Sequence, residues 1–242
     1  MTLLAIDTSS AISSVALVDG EDVVAERTHH DPRRHVEEIG PLLDEVRARV
    51  DPATLEAVVC GVGPGPYTGL RVGIAAGLAL GAVWDVPVVG VCSLDAVAAC
   101  ARSLGVDTAL GVALDARRRE VYWSAYDAAG TRVEGPRVGP AAAVEGAFRP
   151  GTWVGAGAVA YAAELGHVLD EEATNYPRAA WLALIAAREL ASGARVDVDA
   201  APLDAHGTDS GATAAALHGR VLLPPRPLYL RRPDVTIAGG AS

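Results

Sequence analysis

The sequence predicts an α/β fold, because short apolar strands are followed by amphipathic helices and this order begins again near the middle of the chain. The predicted strands of the first half span residues 3–6, 14–18, 23–27, 58–62 and 86–91. A second hairpin, residues 109–114 and 121–126, repeats the opening in outline. We therefore predict two subdomains, residues 1–106 and residues 107–242.

The remaining elements follow from the same patterns. Further helices are predicted near residues 93–104, 140–148, 159–165 and 181–192. Residues 194–220 are rich in Ala, Gly and Asp and have weak periodicity, so we interpret them as a loose loop. A short strand is predicted at residues 228–230.

One long helix, predicted at residues 68–84, organises the first subdomain. Glycine recurs at every fourth residue of this helix, at Gly69, Gly73, Gly77 and Gly81. Residues four apart share a helix face, so one face has no side chains. Each interior glycine costs roughly 1 kcal/mol relative to alanine, which indicates a very close neighbour. That neighbour is the chain's own sheet or a helix of another chain, and the two interpretations are compatible because a helix has more than one face. The adjacent apolar face carries Leu70, Ile74 and Leu78.

A second helix, predicted at residues 35–50, has a narrow apolar seam. The seam is made of residues three and four apart, Val36, Ile39, Leu43, Val46 and Val50. Such a seam is typical of a helix that pairs with one neighbour. Pro41 lies inside this helix and is predicted to kink it, because proline removes one backbone hydrogen bond.

The composition restricts the chemistry that the chain can perform. It has 20 Lys plus Arg against 30 Asp plus Glu, a formal net charge of −10, and every base is arginine. The absence of lysine excludes Schiff-base chemistry and the phosphate lysine of a P-loop. The acidic balance argues against unaided binding of nucleic acid. Three cysteines without a C-x-x-C pair, and an N-terminus unlike a signal peptide, predict a reduced, cytoplasmic protein outside the membrane.

A search for catalytic motifs finds little. The six histidines form no H-E-x-x-H and no four-apart helical pair, so neither a metal site nor a catalytic group is predicted. The loop at residues 61–66 lacks the third glycine of a dinucleotide fingerprint, and Pro64 and Pro66 have no N–H groups for phosphate. We interpret it as a rigid strand-to-helix turn. Cys92 could act as a nucleophile at a strand end, but a buried small residue fits better.

One polar turn leaves a nucleotide alternative open. The turn after the first strand consists of Asp7, Thr8 and Ser9. Backbone N–H groups of such a turn can hold phosphate, although an ordinary turn is the favoured interpretation. Asp7, and Asp115 and Glu120 at a second turn, are acids at strand ends that could be catalytic, but turn formation explains them equally well. The arginines at residues 117–119 could contact phosphate or a partner, or form a solvated hairpin tip.

Taken together, these motifs resemble the bacterial family of tRNA threonylcarbamoyladenosine biosynthesis proteins TsaB, which are also called YeaZ-like. The resemblance rests on the stretches LAIDTS, GVGPGPYTGLRVGIAAGLALG, VPVVGVCSL, ALDARRREVYW and PLYLR. It is close over about residues 1–126 and loose beyond them, apart from PLYLR. Residues 194–220 match nothing in that family and look like a loop insertion.

The resemblance implies an actin-like, sugar-kinase-like (ASKHA) fold of two related subdomains. It implies a non-catalytic scaffold that activates a catalytic paralogue, TsaD, in threonylcarbamoylation of the tRNA adenosine adjacent to the anticodon. The ATPase TsaE is a further implied partner, and tRNA is reached only through the complex. No intrinsic cofactor is expected; ATP or ADP is expected only as a weak or interface-bound ligand, at Asp7, Thr8 and Ser9.

The resemblance also bears on metal binding and pairing. In the paralogue, two metal-binding histidines four apart follow a strand similar to residues 86–91, whereas this chain has Ser93 and Val97 there. Pairing is implied with the paralogue or with a second copy, through the two helices described above. The residues expected at the partner are Val36, Ile39, Leu43, Val46, Gly69, Leu70, Gly73, Ile74 and Gly77. The alternative function is an autonomous ATPase or small-molecule kinase of the same fold.

Overall fold

The protein is built from two β-sheets that share one apolar core. The structure, a computed structural model, describes residues 1–31, 33–144, 151–196, 217 and 219–231. The strands are β1 (Thr2–Asp7), β2 (Ile12–Asp19), β3 (Asp22–His30), β4 (Leu55–Gly61), β5 (Val88–Val91), β6 (Leu110–Asp115), β7 (Glu120–Tyr126), β8 (Arg132–Pro140), β9 (Thr152–Val154) and β10 (Leu222–Leu223). The helices are α1 (His35–Arg47), α2 (Tyr67–Trp84), α3 (Ser93–Ser103), α4 (Ala156–Ala160), α5 (Ala162–Leu165) and α6 (Ala179–Ala191).

The strand order places the ends of β1 and β4 together. The first sheet has the order β10-β5-β4-β1-β2-β3, and the second has the order β8-β7-β6-β9. Within the first sheet β1, β4 and β5 are parallel, and β2 and β3 form an antiparallel meander at one edge. Because β1 and β4 are parallel neighbours, their last residues, Asp7 and Gly61, lie at the same end of the sheet. Open α/β sheets bind their ligands at this end.

Helices cover both faces of the first sheet. Helices α1 and α2 pack on the face to which Leu4 and Ile6 of β1 point. Helix α6 packs on the opposite face, against Leu3 and Ala5. This alternation is the two-residue period of a strand. The core on the α1 and α2 side continues into the second sheet, through Leu110 and other buried residues of β6 and β7. The two sheets are therefore joined by buried apolar side chains.

A buried ion pair ties the second sheet to α3 and to the end of the described chain. Arg132 of β8 donates from Nη1 to Asp95 Oδ1 of α3 at 2.8 Å, and from Nη2 to the carbonyl oxygens of Leu217 and Arg220. The Tyr126 hydroxyl donates to the same carboxylate at 2.7 Å. Removing either partner of a buried pair leaves an uncompensated charge. This network therefore holds the return segment, residues 219–231, against the two sheets.

The elements of the first half agree with the sequence predictions, with ends that differ by a few residues. Pro41 lies inside α1, which continues past it to Arg47. The second half differs more. Strand β8 was not predicted, because its Gly and Pro residues disfavour strands, although an edge strand tolerates them. A 3₁₀ turn, Ala141–Ala143, replaces the start of the helix predicted at residues 140–148, and residues 145–150 lie outside the described part.

Two further expectations need correction. Residues 228–230 are described by the structure but do not form the predicted strand. The strand of the return segment is β10, which lies earlier in the chain. The division at residue 106 does not separate two independently packed halves. Helix α6 and strand β10, both from residues 107–242, belong to the first sheet, because its second face needs a helix to bury it. Most of residues 194–220 lies outside the described residues.

The glycine face of α2 lies against the chain's own first sheet. A Cβ added at Gly73 would lie 2.4 Å from Thr8 Oγ1, and one added at Gly81 would lie 2.3 Å from Val88 Cγ2. A Cβ at Gly69 would lie 2.4 Å from the carbonyl oxygen of Thr8. Carbon atoms do not approach other atoms this closely, so the helix could not pack here with side chains on this face. Of the two alternatives left open by the sequence, the structure selects the intramolecular one.

We expect Gly77→Ala to lower the free energy of unfolding by about 1–3 kcal/mol, as overpacking of a core does, although alanine is the better helix former. The reason is that a Cβ at residue 77 would lie 2.2 Å from Cys60 Sγ. Urea unfolding measures the change. Cys60→Ala removes the sulfur, so the same substitution should cost much less in that background. An equal cost in both backgrounds would show that this contact is not the cause.

Candidate functional site

The carboxylate of Asp7 is the centre of the polar turn after β1. The Ser9 amide and hydroxyl both donate to Asp7 Oδ1 at 2.8 Å. The Ser93 hydroxyl, at the start of α3, donates to Asp7 Oδ2 at 2.7 Å and accepts from the Gly63 amide at 3.1 Å. Gly61 leaves room for the carboxylate, since a Cβ there would lie 1.9 Å from Oδ2. Both carboxylate oxygens are therefore bonded within the chain.

Thr8 connects the same turn to the backbone of α2. Its hydroxyl donates to the Gly69 carbonyl at 2.7 Å and accepts from the Gly73 amide at 2.9 Å. These two backbone groups are the pair that an α-helix normally bonds to each other. The threonine hydroxyl can reach them only because residues 69 and 73 have no side chains. The glycine face therefore contacts the turn after β1 as well as the sheet.

The loop between β4 and α2 covers the turn from outside. A Cβ on Gly65 would lie 2.1 Å from the carbonyl oxygen of Ser9, so the two backbones are in direct contact. Asp7, Thr8 and Ser9 are all at most 2% exposed. A cavity of about 110 Å³ lies next to the turn, lined by Ser10, Arg33, His35 and Thr68, among others. Small-molecule sites usually have about 300–1,000 Å³, so a nucleotide would not fit into this cavity.

Burial controls the ionisation of the groups in this region. It raises the pKa of the Asp7 carboxyl from 3.8 to about 6, although the bonds from Ser93 and Ser9 act in the opposite direction. Burial also raises the pKa of the Cys60 and Cys92 thiols to about 12. Since a thiolate is the reactive form, neither cysteine is a nucleophile at neutral pH. The interpretation of Cys92 as a buried small residue is consistent with this.

The expected nucleotide contacts at Asp7, Thr8 and Ser9 are not supported by this geometry. Their side chains point into the protein, and their polar groups bind the loop, α2 and α3. The turn is a structural junction with no face open to phosphate. Binding of ATP or ADP elsewhere stays a prediction.

The other candidate groups also form internal contacts. Asp115 accepts from the Arg117 amide at 2.9 Å, as in an ordinary turn. Glu120 pairs with Arg231 of the return segment. Among the residues that the structure describes, no three His, Cys, Asp or Glu side chains form a group that could hold a metal ion. At the positions of the paralogue's two histidines, the Ser93 hydroxyl donates a hydrogen bond to Asp7, and Val97 is buried in the core.

Most residues expected at a partner face inward. Gly69, Gly73 and Gly77 contact the first sheet, as described above. The other buried members are Leu70, Ile74, Ile39 and Val46, which are at most 9% exposed. Leu43 is partly buried, and Val36 is 68% exposed. The expectation that these residues form the partner surface is therefore wrong for the seven buried ones, because the same apolar periodicity marks a face packed on its own core.

The outer face of α2 is different, because it is both apolar and exposed. Leu78 is 45% exposed and Val83 is 76% exposed. Small residues surround them on the same surface, namely Ala75, Ala79 and Ala82. Among the described helices, α2 alone has the length and mean hydropathy of a membrane-crossing helix, but its Leu70 and Ile74 are buried in the chain's own core. The sequence groups Leu78 with Leu70 and Ile74 on one apolar face, but Leu78 is exposed and the other two are buried.

Comparison with known proteins identifies the family. The model of the family described as TsaD, tRNA N6-adenosine threonylcarbamoyltransferase, matches residues 22–202. The chain belongs to the TsaD family. Within it, the similar proteins that carry names are TsaB or YeaZ proteins, so this member is TsaB/YeaZ-like. The resemblance drawn from the sequence motifs, and with it the actin-like α/β fold class, is confirmed.

Individual relatives show how far the similarity extends. TsaB of Escherichia coli is 39% identical over 132 residues, which are 52% of this chain and 55% of that protein. An uncharacterized protein of Mycobacterium tuberculosis is 45% identical over 158 residues, 60% of this chain and 72% of the relative. The chain thus matches about half the length of the curated TsaB relatives. The solved structure of YeaZ from Pseudomonas aeruginosa is 29% identical, with a TM-score of 0.70 over 79% of this chain and 93% of that one.

The raised pKa of Asp7 predicts a pH-dependent stability. Because the folded chain holds the Asp7 proton more tightly than the unfolded chain does, this contribution is present below about pH 4 and lost as the pH rises through about 6. Asp7→Asn is neutral at every pH. The free energy of unfolding of the variant, relative to wild type, should therefore rise by up to about 3 kcal/mol from pH 4 to pH 7.5.

Urea unfolding at a series of pH values measures this difference. Asp44→Asn is the matched control for general loss of a negative charge, since the side chain of Asp44 is 76% exposed. A difference between Asp7→Asn and wild type that stays constant from pH 4 to 7.5 would contradict the raised pKa.

Proposed function

We propose that this protein is a non-catalytic subunit in tRNA threonylcarbamoyladenosine biosynthesis, and that it acts by pairing with a TsaD-like catalytic paralogue. Its relatives in Escherichia coli, Haemophilus influenzae and Bacillus subtilis are named for that biosynthesis. The pairing surface that we propose is the outer face of α2, together with the exposed start of α1. The site of action would be the cytoplasm, where the tRNA substrate is.

The observation that carries this proposal is the exposed apolar surface of α2. Leu78, Val83 and the exposed alanines beside them lie on a helix whose opposite face is already packed. Exposed, contiguous apolar surface of this kind is typical of a protein–protein contact. Small side chains let a second helix approach closely, and the larger Leu78 and Val83 provide anchors. Val36, at the start of α1, is also exposed and lies beside the first turn of α2.

The absence of an enzyme-like arrangement supports the non-catalytic part. In the described residues, the carboxylate of Asp7 is enclosed, the thiols of Cys60 and Cys92 are protonated at neutral pH, and no metal-binding group is present. The alternative, an autonomous ATPase or small-molecule kinase, requires phosphate at the β1 turn. No observation favours it, because that turn is buried under residues 63–66.

Other partners follow from the same proposal. A TsaE-like ATPase and the tRNA are the further members of the machinery, and ATP or ADP would bind at an interface between subunits. A second copy of this chain could occupy the α2 surface when the paralogue is absent, since both would use the same apolar patch.

Leu78→Glu and Val83→Glu should each weaken the heterodimer with the paralogue from the same organism at least tenfold. A buried interface would have to accommodate an unpaired carboxylate, which is costly. Co-purification and light scattering of the two chains measure the pairing. Leu104→Glu is the control, because Leu104 is 50% exposed but lies at the end of α3, away from the proposed surface.

The design separates the possible failures. Circular dichroism and thermal unfolding check that each variant is folded. Full pairing by both α2 variants would exclude the proposed surface, and failure of the wild-type chains to pair would exclude the scaffold function. ATP turnover by the lone chain, lost in Asp7→Ala, would instead establish the kinase-like alternative.

A further inference from the structure

A stacked pair of tyrosines brings two distant sequence motifs together at the surface. Tyr67 opens α2, and Tyr229 lies in the return segment. Their ring centroids are 4.6 Å apart with an interplanar angle of 21°. The Arg71 guanidinium lies over the Tyr67 ring, 5.2 Å from its centroid. Tyr67 is 39% exposed and Arg71 is exposed, so this arrangement faces solvent. The fold does not depend on it for burial of the core.

Arginines continue from this pair to the turn between β6 and β7. The Leu228 amide donates to the Val62 carbonyl at 2.8 Å, which fixes the return segment beside the start of α2. Two residues beyond Tyr229, Arg231 donates to the Ala116 carbonyl at 2.9 Å. That contact places the adjacent turn, residues 117–119, at the other end of the same surface. We call this surface the tyrosine–arginine patch, made of Tyr67, Arg71, Tyr229, Arg231 and residues 117–119.

The patch is basic on a chain with a formal net charge of −10. Two carboxylates, Asp115 and Glu120, pair with Arg117 and Arg231. Arg71 and Arg119, which are exposed, add further positive charge to the patch. Electrostatic attraction of a polyanion depends on such local charge more than on the total.

The backbone of the turn indicates that its arginines are not there for conformational reasons. Residues Arg117, Arg118 and Arg119 have φ angles of 64°, 57° and 63°. This left-handed region favours glycine and asparagine and is rarely adopted by other residues. Three consecutive arginines are a poor choice for such a turn on backbone grounds. Their side chains therefore offer the better account of their presence.

We infer that the tyrosine–arginine patch binds single-stranded RNA, such as a tRNA loop, directly. Exposed aromatic rings with adjacent arginines are the elements that bind unpaired bases and their phosphates. A base would replace the Arg71 guanidinium on the Tyr67 ring, and Arg71 and the turn arginines would pair with phosphates. The acidic composition argues against unaided binding of nucleic acid, and the patch is a local exception.

This inference rests on the proposed function for the identity of the RNA, but it concerns a different surface. Tyr67 and Val83 lie at opposite ends of α2, about 24 Å apart at 1.5 Å per residue. Leu78 and Val83 therefore lie away from Tyr67, whereas Val36 of the pairing surface lies beside the first turn of α2. An acidic protein segment is the other class of ligand for arginines, but it would not require the stacked tyrosines.

The test measures fluorescence anisotropy of a labelled, mixed-sequence 12-nucleotide RNA with the whole chain alone, over a range of salt concentrations. Tyr67→Leu should weaken binding at least fivefold, because stacking is lost, while Tyr67→Phe should retain it. Arg71→Gln and Arg119→Gln should each reduce the salt slope by about 0.7. Arg188→Gln, an exposed arginine of α6 outside the patch, should bind as the wild type does.

The outcomes are distinguishable from those of the pairing experiment, which contains no RNA. Binding that is unaffected by Tyr67→Leu and Arg119→Gln, in variants with wild-type thermal unfolding, would overturn the inference and leave the scaffold function intact. Equal competition by a 12-residue polyglutamate, insensitive to Tyr67→Leu, would assign the patch to an acidic protein and overturn it as well. An unmodified tRNA transcript that competes with the 12-mer in wild type, and much less in Tyr67→Leu, would support it.

Discussion

The close approach of α2 to the end of β1 is the contact on which the rest of the first sheet depends. Glycines at residues 69 and 73 bring the helix backbone within reach of the Thr8 hydroxyl, which bridges a carbonyl and an amide of that helix. Gly65 and Gly61 allow the loop and the Asp7 carboxylate to occupy the remaining space. These glycines, two in the helix and two before it, therefore specify how helix, turn and loop fit together.

This junction fills the position at which α/β folds usually bind a ligand. The carboxyl ends of parallel strands are where α/β folds bind their ligands. Here the polar groups at that position bond to one another, and the loop with Pro64 and Pro66 closes over them. An ionisable carboxylate with a pKa near 6 is retained in a buried place, which costs stability at neutral pH. The polar groups at the centre of the first sheet are thus used within the chain, and the surfaces that we propose for partners lie on its exterior.

Two such surfaces lie on α2, and they differ in chemistry. The C-terminal part is apolar and smooth, with Leu78 and Val83 among alanines, as suits a helix of another subunit. The N-terminal turn carries Tyr67 and Arg71 and meets the return segment, as suits an anionic, aromatic-binding ligand. Both surfaces lie on the outer side of α2. The glycine contacts of its inner face fix the helix on the sheet, and this defines the position of the outer side.

The sequence by itself determined the α/β class, the two helices, the family motifs and the lack of lysine chemistry, because local periodicity and residue type are properties of the chain alone. It left open which way the glycine face points, since a close neighbour inside the chain and one outside it demand the same pattern. Only the tertiary structure decided that Ile39, Leu70 and Ile74 are core residues, that α6 and β10 complete the first sheet, and that Tyr67 stacks on Tyr229. These outcomes depend on contacts between residues far apart in the chain, which periodicity does not encode.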